Sequence, residues 1–89
     1  MATVHVTPNL RRHVATESAS VNGRTVAEVL QAYFPQCPAL RGYVLEDSGA
    51  LRRHMTIFVN GVSIQDRQKL SDPVPVDGEV YIMQALSGG

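Results

Sequence analysis

Residues 25–34, TVAEVLQAYF, are the one strongly helical stretch of this 89-residue chain, and that limits the folds open to it. Thr25 with Glu28 three residues later is a capping box, a hydroxyl and a carboxylate placed to satisfy free amides of a first helical turn. Val26, Val29, Leu30 and Phe34 then fall at helical spacing and form one apolar stripe, and Pro35 ends it. One amphipathic helix has one face to bury. Its surroundings must therefore offer a single broad apolar surface, which a sheet provides.

The remaining apolar residues supply that sheet. Residues 3–7 (TVHVT) alternate, with Val4 and Val6 on one face and Thr3, His5 and Thr7 on the other. Pro8 and Asn9 break the run, and the polar segment 13–21 (HVATESASV) is predicted to return as an edge strand. A shorter helical turn is predicted over 38–45, opened by Pro38 and anchored by Leu40 and Val44, and EDSG at 46–49 is a turn. In MTIFVNG (55–61), Ile57 and Val59 oppose Thr56, Phe58 and Asn60; Asn60-Gly61 then turns the chain into the short strand VSI. Pro73 and Pro75 make 65–78 a loop, since proline cannot serve a central strand. Asp77-Gly78 turns into the last strand, EVYIMQAL, where Val80 and Ile82 alternate with Tyr81 and Met83. The order β-β-α-β-β-β predicts an α+β domain over 1–85. Its mixed sheet has about five strands, one main helix (25–34) covers one face, and the proline-free last strand lies at the centre.

Composition removes several classes of function. Eight Lys and Arg balance eight Asp and Glu, so the chain lacks the basic excess that nucleic-acid and anionic-membrane binders use. No stretch approaches a membrane span, and the N-terminus lacks signal-peptide features, so the expected compartment is the cytoplasm. Cys37 is the one cysteine, which excludes an internal disulfide, a cysteine-ligated zinc site and an iron–sulfur cluster. It lies between two prolines with no acid or histidine near it in sequence, and reads as a buried, inert thiol. His5, His13 and His54 have no metal-ligand spacing, and no metal is expected. LRRH occurs at 10–13 and 51–54; its arginines (Arg11, Arg12, Arg52 and Arg53) read as solvated surface rather than as a patch for an acidic partner.

The element order, VNG at 59–61, DG at 77–78 and a last strand running into SGG at 87–89 together resemble the ubiquitin-like β-grasp sulfur carriers, the MoaD/ThiS family. The opening VTPNLRRHV and the long segment 35–55 look more like the longer, CysO-like carriers than the shorter thiazole carriers. The resemblance implies a protein that is not an enzyme and binds no cofactor of its own. Its reactive group is the terminal carboxylate of Gly89. A ubiquitin-activating-type adenylating enzyme, using ATP and Mg, attaches AMP to that carboxylate with loss of pyrophosphate. Sulfur from a donor protein then displaces AMP, and the resulting thiocarboxylate serves a sulfur-accepting synthase. A metallopeptidase is a further partner that the resemblance implies. Joining of Gly89 to lysines, as in a ubiquitin-like modifier, is the alternative, and a non-covalent ubiquitin-like adaptor is another.

Physical chemistry fits the tail to that role. A terminal carboxylate has a pKa near ~3.5, so it is ionised but weakly nucleophilic, and an enzyme must neutralise charge around it. Residues 86–89 are predicted to be a flexible tail. Leu86, Ser87 and Gly88 would thread a narrow site, where residues without a Cβ pass and side chains collide. Strand parity adds a second candidate surface. If Val4, Val6, Ile57, Val59, Val80 and Ile82 face the helix, then His5, Phe58, Tyr81 and Met83 share the other face as a candidate docking patch. The competing expectation is that segment 35–55 folds over that face.

Overall fold

The computed structural model describes residues 1–7, 10 and 18–84. Strands β1 (Ala2–Val6) and β2 (Ser18–Val21) are followed by helix α1 (Val26–Tyr33) and a 3-10 turn (Phe34–Gln36). Helix α2 (Pro38–Val44) and strands β3 (Met55–Val59), β4 (Val62–Ser63) and β5 (Glu79–Gln84) complete the order. The sheet runs β2-β1-β5-β3-β4, with β1 and β5 parallel and the other neighbours antiparallel. The last strand is central, as its alternation predicts. The short helix expected after Pro38 is a full element, with Leu40 and Val44 buried. Of the predicted second strand, Ser18–Val21 is observed, and the residues before it lie outside those described.

Register explains the core. Val4 and Val59 flank Val80, and Val6 and Ile57 flank Ile82, so two cross-strand rows face α1. Val4, Ile57, Val80 and Ile82 are fully buried beneath Val26, Val29 and Leu30. Val59, the last residue of β3, is only partly buried. Segment 35–55 does not cross the outer face; it delivers Leu40, Val44, Leu45 and Leu51 to this same core.

The helix start is built from two places. Thr25 Oγ1 accepts from the Glu28 amide at 3.2 Å, as the capping box requires. The Glu28 carboxylate reaches the Arg24 amide, one residue before the cap, at 3.0 Å. The amides of Val26 and Ala27 are satisfied by the carbonyls of Asp72 and Leu70. The 65–78 loop therefore serves as the remaining half of the helix cap. That loop is itself held by two carboxylates. Asp72 accepts from the Gln65 and Asp66 amides. Asp66 accepts from the amides of Gln68, Lys69 and Ser71 and from the Ser71 hydroxyl. These bonds favour the charged form, and they lower the Asp66 pKa to about 2, the Lys69 amide contributing most.

Two turns set the sheet. Asn60 and Gly61 both have positive φ (49° and 85°), the pattern of a two-residue hairpin turn whose twist matches the strands it joins. Asn60 also clamps the start of β5: its amide donates to the Glu79 carbonyl and its side-chain oxygen accepts the Glu79 amide, both at 2.8 Å. Gly23 lies against α1, where a Cβ would stand 2.7 Å from the Val29 nitrogen.

Candidate functional site

The outer face of the sheet is read directly from register. β1 and β5 bring His5 beside Tyr81, and β3 and β5 bring Phe58 beside the same Tyr81, giving one row across three strands. Thr56 pairs with Met83 one step along. The four residues picked by parity are thus neighbours on one surface. His5, Phe58 and Met83 are half-buried, and Tyr81 is 39% exposed. None belongs to the core cluster.

The imidazole of His5 stacks on the Tyr81 ring, centroids 4.5 Å apart and planes 17° from parallel. Its Nε2 lies 2.6 Å from Glu79 Oε1, so the ring is held by a hydrogen bond on one edge and by stacking on its face. Sequence reasoning missed Glu79, which lies 74 residues from His5 and becomes its neighbour only through the parallel pairing of β1 and β5. The result is a rigid aromatic platform with one carboxylate at its margin. Such a surface suits docking, because aromatic groups with few rotors lose little entropy on binding.

The tail residues Leu86, Ser87, Gly88 and Gly89 lie outside the described residues. Their point of departure is defined. β5 is described to Gln84, which pairs with Met55, and the Thr7 amide donates to the Ile82 carbonyl at 3.3 Å. The described part of β5 thus ends in the middle of the sheet, between the end of β1 and the start of β3.

Other candidates fall away from this site. Cys37 is buried, and burial raises its pKa, the reverse of what a reactive thiolate needs. Arg52 donates through Nε to the Gly42 carbonyl at 2.7 Å, near the end of α2. Arg67, which sequence reasoning passed over, donates to the carbonyls of Arg52 and Met55 at 2.8 Å and ties the loop to β3. Arg11, Arg12 and His13 lie outside the described residues. Among the described residues no group of three or more His, Cys, Asp or Glu could hold a metal, and no helix is long and apolar enough to cross a membrane.

A five-stranded mixed sheet with parallel β1 and β5 at its centre and α1 packed on one face defines a ubiquitin-like β-grasp protein. Three solved structures share that fold. A chain of the BexX/CysO complex of Amycolatopsis orientalis superposes with TM-score 0.86 at 22% identity, covering 100% of both chains. CysO of Mycobacterium tuberculosis gives TM-score 0.84 at 24% identity over 97% of this chain and 100% of its own. Small archaeal modifier protein 1 of Methanosarcina acetivorans gives 0.82 at 26% identity over 99% of this chain and 95% of its own. Their shared fold agrees with the resemblance to the ubiquitin-like β-grasp family, and two of the three structures contain CysO. No protein-family model matches the sequence, and no curated protein matches it.

Proposed function

We propose that the protein is a sulfur carrier, a co-substrate consumed and regenerated without catalysing a reaction itself. Gly89 is its point of chemistry. A partner enzyme joins the Gly89 carboxylate to the α-phosphorus of ATP, with pyrophosphate leaving. Sulfide, delivered by a donor protein, then attacks the acyl carbon as AMP leaves, and the product is a terminal thiocarboxylate. In the carrier, the folded domain supplies the address and the tail supplies the reactant. A partner gripping the His5, Phe58, Tyr81 and Met83 surface holds the tail at a fixed reach and turns a diffusing end into a positioned one. The likeness over the full length of both chains to a structure of CysO with a partner, BexX, carries this reading.

A second reading has its own support. The likeness to small archaeal modifier protein 1 favours an isopeptide modifier, in which a lysine amine rather than sulfide displaces AMP from Gly89. Intact-mass spectrometry of the protein incubated with ATP, Mg, its activating enzyme and sulfide distinguishes the two. Exchange of one oxygen for one sulfur at the C-terminus identifies a carrier, and higher-mass conjugates through Gly89 identify a modifier. A protein that returns unchanged, with no adenylate trapped, excludes both and leaves a non-covalent adaptor.

A further inference from the structure

A groove of about 690 Å³ runs along one flank of α1, between α1, α2 and the 68–70 loop. Its apolar wall is formed by Leu30, Phe34, Leu45 and Leu70, with Pro35 and Pro38 exposed along the rim. Two cations line it, Arg41 from α2 and Lys69 from the loop, and among the described residues no carboxylate does. Both cations are exposed.

Among the described residues neither cation forms an ion pair. Glu28 is engaged with the Arg24 amide, and Asp66 accepts the loop amides and the Ser71 hydroxyl. Glu46 and Asp47 do not line the groove. The two cations come from different elements: Lys69 adjoins Leu70, whose carbonyl caps the Ala27 amide at the start of α1, and Arg41 lies on α2.

We infer that this groove binds a short acidic segment of a partner protein, with apolar side chains between two carboxylates. The exposed position of both cations favours a peptide, whose ion pairs sit at a solvated rim around an apolar centre. The groove lies on the helix side of the sheet, opposite the Tyr81 face, so its occupant and a partner on that face can be bound together. The inference does not depend on the carrier reading.

Backbone amide NMR of the full-length protein, titrated with the capped peptide Ac-Glu-Leu-Leu-Glu-NH2, tests it. Shifts are expected at Ala27, Gln31, Arg41, Gly49 and Lys69, and weaken as salt is raised. Arg41→Gln and Lys69→Gln are each expected to weaken binding about two- to fivefold, the effect of one exposed ion pair, while leaving the spectrum elsewhere intact. The uncharged peptide Ac-Gln-Leu-Leu-Gln-NH2 is expected to bind more weakly than either variant binds the acidic one. Equal binding of the two peptides, or shifts confined to the sheet face, overturns the inference, as does no shift at millimolar peptide. Movement of the groove signals with protein concentration alone would assign the groove to a second copy of this chain. Tighter binding of free azelate, a linear dicarboxylate, would assign it to a small ligand. Either result displaces the peptide.

Discussion

His5 and Tyr81, from the first and last strands, stack at 4.5 Å on the sheet face opposite the helix, and Phe58 lies on the other side of Tyr81 in the same row. One step along β5, Ile82 is fully buried between Val6 and Ile57. Adjacent residues of one strand thus face opposite sides of the sheet, Tyr81 in the exposed aromatic row and Ile82 in the core.

Substitutions on the two faces should separate accordingly. Phe58→Ala is expected to weaken binding to the activating enzyme by about 1–3 kcal/mol with a smaller effect on unfolding. Ile82→Ala is expected to cost about 2–5 kcal/mol of stability through the cavity it leaves. Calorimetric titration and urea unfolding of both variants check the pair. Native affinity in a folded Phe58→Ala protein would remove the sheet face as the docking surface.

At the tail, loss of Gly89 or addition of one residue after it should abolish ATP–pyrophosphate exchange with the activating enzyme. Gly88→Val should lower kcat/KM, because a β-branched side chain narrows both the backbone range and the fit to a tight channel. The thermal midpoint of each variant is expected to match that of the parent. Undiminished exchange by the deletion variant would dismiss carrier and modifier alike.

Gly23 makes a prediction independent of function. A Cβ there meets the Val29 nitrogen at 2.7 Å and its Cγ2 at 2.8 Å, and neither the helix backbone nor the packed Val29 can yield cheaply. Gly23→Ala should therefore destabilise the fold by about 1–3 kcal/mol, in the manner of an overpacked core. Gly42→Ala, where a Cβ meets nothing, is the matched control and should be neutral or slightly stabilising. Chemical denaturation compares the two.

Asp66 links the loop to pH. Its folded-state pKa is about 2, and an unfolded aspartate titrates near ~3.9. A depressed carboxylate contributes stability that is fully present above the unfolded value and lost as pH falls through the folded one. The stability gap between the parent and Asp66→Asn should hold steady above about pH 5 and close between about pH 4 and pH 2. Urea midpoints across that range measure it, and a gap that persists unchanged at pH 2 would mean the asparagine acts through something other than charge.

Local chemistry determined much of this molecule. Period-two alternation set the faces of β1, β3 and β5, Thr25 and Glu28 marked the helix start, and Asn60-Gly61 required a hairpin turn, because each signal acts within a few residues. The patch of His5, Phe58, Tyr81 and Met83 was legible for the same reason, since parity assigns a face without knowing the neighbour. What alternation cannot state is which strand lies beside which. Only the tertiary fold brought Glu79 to His5 across 74 residues, sent segment 35–55 into the core rather than over the sheet, and made the 65–78 loop half of the helix cap. Those outcomes depend on backbone pairing and burial between distant segments, whose energies appear only once the chain has closed on itself.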